Sequence, residues 1–188
     1  MSYETIHLLT GNKDKLRIAN NIFNEYGINV IKSDIDIPEI QASNSTEVAS
    51  YATRIAFREL GVPVLREDHS FYIDELGIPG PFMAYMDKMV NVEQLIRITD
   101  TLKSRDAHFE IAASYVNSHG NNFECSYDVP VTIANASRGD DSLNWERAMI
   151  LPGSVTTFAE THSETRDHLW SQNYHTIARH IVSQEADH

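Results

Sequence analysis

Two patterns of apolar and polar residues follow each other along the first part of the chain. Short apolar runs, typical of buried strands, occur at residues 6–9, 29–31, 62–65 and 71–73. Between the first three runs, apolar residues recur at helical spacing and stop at Gly27 and Gly61, a usual C-terminal position for glycine. This order predicts strand, helix, strand, helix, strand. We therefore expect an α/β fold with a mixed central sheet flanked by helices.

The second half of the chain predicts a hairpin and further helices. Apolar residues alternate over residues 109–115 and 123–127 on either side of a polar turn, which predicts a β-hairpin. We expect another strand at residues 131–133 and helices at residues 81–89 and 91–102. A capping box at Thr161 and Glu164 predicts the start of a last helix. The length of 188 residues fits one domain with two lobes that spans residues 1–188.

Composition and charge narrow the class of protein. The apolar runs are far shorter than the roughly 18 to 20 residues of a membrane span. Residues 1–4 lack the basic region that precedes the apolar part of a secretory signal. The single cysteine, Cys125, excludes an intramolecular disulfide and favours the cytoplasm. The net charge of -12 argues against a nucleic acid polymer as partner, because such binding needs clustered Lys and Arg.

A short turn, TGNKDK at residues 10–15, joins the first predicted strand to the first predicted helix. Such a junction directs backbone N–H groups and the positive end of the helix dipole into the turn, and Lys13 and Lys15 add positive charge. A bound phosphate is the functional interpretation of this segment. The alternative is a pair of solvated surface lysines, because the turn matches neither a Walker A sequence nor a dinucleotide fingerprint.

Two adjacent carboxylates, Glu67 and Asp68, follow a buried strand. Carboxylates in this position need solvent or a cation, and Mg²⁺ is the simplest cation that fits. Ligands of α/β sheets bind beyond the carboxyl ends of the strands, so residues 10–15, Glu39 and residues 67–68 are expected to converge on one cleft. The alternative for Glu39 is a loop carboxylate with no partner.

Three motifs taken together resemble one enzyme family. They are TGNKDK at residues 10–15, IPEIQ at residues 37–41 and EDHSFYIDELGIPGPFMAY at residues 67–85. In order and spacing they are similar to the motifs of the inosine/xanthosine triphosphate pyrophosphatases, the non-canonical purine NTP pyrophosphatases. The resemblance continues, more weakly, through the rest of the chain.

The resemblance implies a metal-dependent hydrolase that cleaves a nucleoside triphosphate to the monophosphate and pyrophosphate. It also implies two lobes with a nucleotide cleft between them, and a homodimer. The residues implied to hold the phosphates are Thr10, Asn12, Lys13 and Lys15. The residues implied to hold Mg²⁺, with Mn²⁺ as an alternative, are Glu39, Glu67 and Asp68. Asp68 would in addition orient or deprotonate the attacking water.

The part of the family pattern that contacts the base is altered in this chain. Related enzymes carry a G-x-x-GFGWDP loop, and here Leu143, Trp145 and Glu146 stand at the places of its Phe, Trp and Asp. Arg166 stands near the place of the family's base-reading lysine, and the His-Arg pair that follows it in relatives is absent. The implied base contacts are therefore Leu143, Trp145, Glu146 and Arg166. Inosine and xanthosine specificity does not carry over.

Departures in the phosphate half leave several functions open. Ile18 replaces a family glutamate, and Ala52 replaces a frequent lysine, with Arg54 two positions later. His69, beside Asp68, is either a proton shuttle or a solvent-facing histidine. We expect a pyrophosphatase for a non-canonical or modified (deoxy)nucleoside triphosphate. The alternatives are a phosphohydrolase of a nucleoside mono- or diphosphate on the same scaffold and a nucleotide-binding protein without turnover.

Overall fold

The computed structural model describes residues 5–186, with side chains described through Gln184. Residues 1–4, on which the expectation about a secretory signal rests, lie outside this range. The strands are β1 (Ile6–Leu9), β2 (Val30–Ser33), β3 (Val64–Ile73), β4 (Ile78–Gly80), β5 (Asp106–Val116), β6 (Asn122–Ile133) and β7 (Met149–Ile150). The α-helices are α1 (Lys13–Glu25), α2 (Ser45–Leu60), α3 (Met83–Met89), α4 (Val92–Thr99) and α5 (Gln172–Ala186). Short 3-10 helices lie at Trp145–Arg147, Phe158–Glu160 and Ser163–Leu169.

The strands form one mixed sheet in the order β2-β1-β3-β5-β6-β7, with β4 paired to β3. β1 is parallel to both β2 and β3, whereas β4 is antiparallel to β3 and β7 is antiparallel to β6. Parallel neighbours need crossover connections, and α1 and α2 provide them. The predicted mixed central sheet flanked by helices is confirmed.

The chain divides into two compact units. Among the described residues, the first contains those up to Asp68, Ile111–Tyr127 and those from His168 onward, and the second contains His69–Glu110 and Asp128–Asp167. The core of the first unit packs α1 and α5 against β1 and β5, through side chains such as Leu8, Phe23, Tyr115, Tyr174 and Ile177. These side chains leave water almost completely, which is the main favourable contribution to the stability of this unit.

The core of the second unit is aromatic. The ring of Phe71 lies 5.0 Å from that of Phe109 and 5.7 Å from that of Trp145, measured between centroids. Phe109 also stacks on Phe158 at 6.2 Å. Tilted and offset ring pairs of this kind stabilise a core beyond the area they bury.

Gly139 lies against Ala159 at a positive φ of 92°, where a Cβ would come within 2.4 Å of the Ala159 backbone.

Asparagine side chains begin three of the helices. Asn12 caps α1, Asn44 caps α2 and Asn91 caps α4. In each case the side-chain oxygen accepts a hydrogen bond from a backbone N–H group of the first turn. At the start of α2 the N–H of Glu47 donates to Oδ1 of Asn44 at 2.9 Å. Within residues 5–186, none of the helices has the length and apolar character needed to cross a membrane.

Three element boundaries differ from the sequence-based prediction. The two apolar runs around Glu67 and Asp68 form the single strand β3, in which Glu67 is itself buried on the same face as Leu65 and Phe71. The strand expected at residues 131–133 is the end of β6. The last α-helix begins at Gln172 rather than after Thr161, because Ser163–Leu169 forms a 3-10 helix first.

Candidate functional site

The turn between β1 and α1 is held by its own side chains. The Oγ1 atom of Thr10 accepts a hydrogen bond of 3.0 Å from the N–H of Asn12. The Oδ1 atom of Asn12 accepts hydrogen bonds from the N–H groups of Asp14 and Lys15, at 2.8 and 3.3 Å. These N–H groups belong to the first turn of α1, where helices bind anions. Asn12 therefore already satisfies two of the donors that a phosphate at this turn would use.

The two lysines of the turn have different environments. Lys13 is exposed to solvent. The side chain of Lys15 is 19% exposed, and its Nζ donates to the carbonyl oxygen of Glu67 at 3.1 Å and lies 3.8 Å from Oε2 of Glu67. Burial lowers the pKa of Lys15, and the nearby carboxylates of Glu67 and Asp68 oppose this decrease. Lys15 is therefore fixed against β3, whereas Lys13 points to solvent.

Glu67 is directed into the first unit and not toward solvent. Its side chain is 1% exposed, and its Oε2 atom accepts a hydrogen bond of 2.9 Å from the hydroxyl of Tyr174. Burial, together with the Glu67 charge, raises the pKa of Tyr174 and of Tyr127, and raises that of the Cys125 thiol to about 12. The carboxylate is thus part of a buried polar group that orients Lys15. A role for Glu67 as a magnesium ligand stays a prediction.

Arg66, which the sequence analysis did not select, contacts two of the predicted site residues. Its Nη2 atom lies 3.5 Å from Oε1 of Glu39 and 3.8 Å from Oδ1 of Asp68. Its Nη1 atom donates to the carbonyl oxygen of Leu9 at 3.3 Å. The alternative view of Glu39 as a carboxylate without a partner is therefore wrong. One signal was available, because residues two apart on a strand share a face, and this places Arg66 beside Asp68.

A cavity of about 370 Å³ opens in the first unit beside the turn. Thr10, Gly11, residues 33–40, Tyr51 and Arg66 are among the residues that line it. The segments after β1 and β2 meet here because these strands are parallel neighbours, and the parallel pairing of β1 with β3 ends at Leu65. The structure thus brings the turn at residues 10–15, Glu39 and Asp68 together near the carboxyl end of β1.

The donor set at this end of β1 suits a hard cation that substrate oxygens help to bind. The Glu39 side chain is 72% exposed and that of Asp68 is 14% exposed. Within residues 5–186, no group of three or more His, Cys, Asp and Glu side chains is placed to bind a metal ion. Magnesium is usually held by one or two carboxylates together with phosphate oxygens, so a pair of carboxylates fits this ion.

The four predicted base contacts lie in the second unit. Trp145 is 2% exposed, and its Nε1 donates to the carbonyl oxygen of Val90 at 2.7 Å. Arg166 is 6% exposed, and its Nη2 lies 2.7 Å from Oε2 of Glu146. Burial raises the pKa of Glu146, and the charge of Arg166 opposes this increase. Glu146 and Leu143 are partly exposed.

Trp145 and Arg166 are part of the packing of the second unit. The guanidinium carbon of Arg166 lies 4.6 Å from the centroid of the Phe158 ring, and its Nη1 donates to the carbonyl oxygens of Phe158 and Thr161. The sequence reasoning missed this role because it placed Arg166 by spacing from a motif. Base contacts by these four residues stay predictions, and Leu143 and Glu146 are the two that retain exposed surface.

The strand order and the turn after β1 define an α/β protein with a mixed central sheet. The chain belongs to the Ham1 family, whose family model matches residues 6–175. A dITP/XTP pyrophosphatase from Methanopyrus kandleri is 32% identical over 152 residues, which cover 80% of this chain and 81% of that protein. A dITP/XTP pyrophosphatase from Ignicoccus hospitalis is 28% identical over 190 residues, which cover 98% and 100% of the two chains.

Solved structures share the fold. A HAM1 protein from Coxiella burnetii has a TM-score of 0.83 at 20% identity, and the match covers 96% of this chain and 100% of that one. The Staphylococcus aureus Ham1 protein has a TM-score of 0.78 at 21% identity, covering 98% and 100%. At these identities the likeness concerns the fold alone. The family resemblance stated from the three motifs is confirmed by the family model and by the sequence relatives.

Proposed function

We propose that this protein is a metal-dependent pyrophosphatase that cleaves a non-canonical or modified (deoxy)nucleoside triphosphate to the monophosphate and pyrophosphate. The names of relatives that cover most of the chain confirm the enzyme class predicted from the sequence, a hydrolase of triphosphate anhydride bonds. The structural observation that carries the proposal is the meeting of Lys15, Glu39 and Asp68 around the turn after β1.

The phosphates are assigned to the turn and to the first turn of α1. Lys13 is exposed and can meet an incoming phosphate, and Lys15 supplies a positive charge at a position that Glu67 holds. Asn12 keeps the helix start in place through its side-chain oxygen, and its amide group is a further donor to phosphate. Thr10 supports Asn12 and lines the adjacent cavity.

The metal is assigned to Glu39 and Asp68, with Mg²⁺ as the ion and Mn²⁺ as the alternative. When bound, the ion would neutralise charge on the phosphate oxygens. The main role of Glu67 is to position Lys15. Binding of the metal by its carboxylate is a secondary role. Asp68 also accepts the proton of the attacking water or orients it, a role that carboxylates perform in hydrolases.

Two further parts of the proposal rest on the family resemblance and on composition. Leu143 and Glu146 contact the base, because they are the base-loop residues with exposed surface. The protein acts in the cytoplasm as a homodimer on a free nucleotide, and we expect no nucleic acid polymer and no membrane among its partners, given the net charge of -12.

Product analysis tests the proposed function. The protein is incubated with Mg²⁺ and a panel of canonical, deaminated and modified triphosphates, and the products are separated by chromatography. We expect monophosphate and pyrophosphate in equal amounts from at least one triphosphate. We expect Asp68→Asn to lower this rate at least about 100-fold. The matched control is Asp74→Asn, an Asp of the second unit that can keep a hydrogen bond to His108.

The other outcomes separate the alternatives. Release of orthophosphate from a mono- or diphosphate, with no pyrophosphate from any triphosphate, would support the phosphohydrolase. Nucleotide binding without turnover across the whole panel would support a binding protein. Either result would overturn the pyrophosphatase.

A further inference from the structure

Arg66 places a positive charge between the two carboxylates that the proposed function assigns to the metal. A single nitrogen atom, Nη2, lies 3.5 Å from Glu39 and 3.8 Å from Asp68. Glu39 belongs to the segment after β2, and Asp68 belongs to β3. One guanidinium therefore neutralises carboxylates that come from two different parts of the first unit.

The contacts of this guanidinium with the carboxylates are loose. Charge-assisted hydrogen bonds between a guanidinium and a carboxylate are usually about 2.7–2.9 Å long and are often bidentate. Both distances from Nη2, 3.5 Å to Glu39 and 3.8 Å to Asp68, are longer than this. The Nε atom of Arg66 is buried and has no hydrogen-bond partner in the described part of the chain. The guanidinium thus retains unused capacity to donate.

The surroundings of Arg66 indicate which ligand can use that capacity. Its side chain is 27% exposed and lines the same cavity as Thr10 and Gly11 of the turn at residues 10–15. Its Nη1 atom donates to Leu9, the residue that precedes this turn. The planar fork of arginine matches two oxygens of a phosphate group. A phosphate at the turn would therefore offer Arg66 a partner that replaces the carboxylates.

We propose that Arg66 is a positioning residue that couples the binding of the divalent metal to the binding of the triphosphate. Without ligands it serves as the counter-ion of Glu39 and Asp68, and its charge opposes the entry of a cation. Phosphate oxygens draw the guanidinium away and leave the carboxylates available to the metal. Each ligand then raises the affinity for the other, as thermodynamic linkage requires. The identity of the two ligands rests on the proposed function.

A simpler role for Arg66 makes a different prediction. If Arg66 only ties β3 to Leu9 through its Nη1 atom, its replacement lowers the stability of the fold and leaves the coupling between metal and triphosphate unchanged. Metal affinity without any nucleotide distinguishes the two roles, because only a counter-ion hinders the metal.

The first experiment titrates the full protein with Mn²⁺ alone and follows free Mn²⁺ by electron paramagnetic resonance. We expect Arg66→Gln to bind Mn²⁺ about 5- to 30-fold more tightly than the unmodified protein, because it removes a unit charge close to the two carboxylates. The matched control is Arg179→Gln, which removes the same charge from an exposed position on α5. We expect the control to bind Mn²⁺ as the unmodified protein does.

The second experiment measures the affinity for inorganic triphosphate by calorimetry under two conditions. One contains no Mn²⁺, and the other contains a fixed free concentration of Mn²⁺. The ratio of the two affinities is the coupling. We expect it to fall at least about fivefold in Arg66→Gln and also in Arg66→Lys, because an ammonium cannot present a planar fork. Arg66→Lys keeps the charge, and so it remains informative if Arg66→Gln does not fold.

Two results would overturn the proposal. One is a folded Arg66→Gln protein whose Mn²⁺ affinity equals or falls below that of the unmodified protein. The other is an unchanged coupling ratio in Arg66→Lys. Neither experiment needs turnover, so failure of the proposed function appears separately, as absence of pyrophosphate in the product analysis.

Discussion

The hydroxyl of Tyr174 donates a hydrogen bond of 2.9 Å to Oε2 of Glu67 inside the first unit. The same carboxylate oxygen lies 3.8 Å from Nζ of Lys15. The helix α5 therefore takes part in holding the lysine that the proposed function assigns to phosphate. A residue near the end of the chain, 107 positions from Glu67, supports a turn near its beginning.

We expect Tyr174→Phe to lower the free energy of unfolding by about 1.5–3 kcal/mol. The change removes a hydrogen-bond donor to a buried charged group, and such bonds contribute about this much. Urea unfolding measures the change. Tyr85→Phe is the matched control, because Tyr85 is 65% exposed, and it should remain within about 0.5 kcal/mol of the unmodified protein. Equal effects of the two changes would argue against a buried ionised Glu67.

The two lysines of the turn should differ in their effect on stability. Lys15→Met removes the cation beside a buried carboxylate, and we expect it to lower the free energy of unfolding by about 3–5 kcal/mol. Lys13→Met alters an exposed side chain and should change it by less than about 0.5 kcal/mol. Both changes should raise the KM for the triphosphate. A stability loss in Lys13→Met similar to that in Lys15→Met would contradict the different burial of the two residues.

Arg166 should contribute to folding before it contributes to base recognition. We expect Arg166→Met to lower the free energy of unfolding by at least about 2 kcal/mol, because it breaks the pair with Glu146 and removes the cation above the Phe158 ring. Thermal unfolding followed by circular dichroism measures the loss. Arg97→Met, at an exposed position on α4, is the matched control. A fully stable Arg166→Met protein with altered base preference would instead support the base-reading role.

The thiol of Cys125 should react slowly in the folded protein. Burial raises its pKa from 9.0 to about 12, and the negative charge of Glu67 adds to this increase. At pH 8 the thiolate fraction, and with it the rate of alkylation by iodoacetamide, should be about 1,000-fold lower in the folded protein than in urea. Mass spectrometry of timed samples checks this. Rates within tenfold of each other would show that the thiol is accessible and normally acidic.

The same shift in the pKa of Cys125 predicts how stability depends on pH. Between about pH 9 and 12 the folded state holds the thiol proton that the unfolded state has released. The contribution of Cys125 is therefore complete below pH 9 and is lost as the pH rises toward 12. We expect Cys125→Ser to lose less stability than the unmodified protein over this alkaline range, as measured by urea unfolding at several pH values. Parallel curves for the two proteins would contradict the shift.

Much of the arrangement around the turn at residues 10–15 was predictable from the sequence. The glycine stops, the strand order and the turn at residues 10–15 depend on local spacing, so the parallel arrangement around β1 followed from them. That arrangement brings Glu39 and Asp68 to the same edge of the sheet as the turn. The prediction erred where it treated Glu67 and Asp68 as the end of a strand, because a pair of charges looks like a boundary when its partners are far away in the sequence.

The remaining parts depended on contacts between distant residues. Nothing in the spacing of the last helix indicated that the hydroxyl of Tyr174 donates to a carboxylate on β3. Trp145 is an implied base contact because of its place in a family loop, and that place gave no sign that its ring also packs against Phe71. Spacing within one segment does not report which side of the segment is covered by another.

The sequence by itself determined the α/β class, the glycine stops of the first two helices and the family, because each depends on the order and spacing of neighbouring residues. Only the tertiary structure decided which charges are buried and which are paired. Glu67 is an internal support for Lys15, and Arg66 is the counter-ion of Glu39 and Asp68. The physical reason is that desolvation and Coulomb interactions depend on distances through space, and folding brings together residues that lie far apart along the chain.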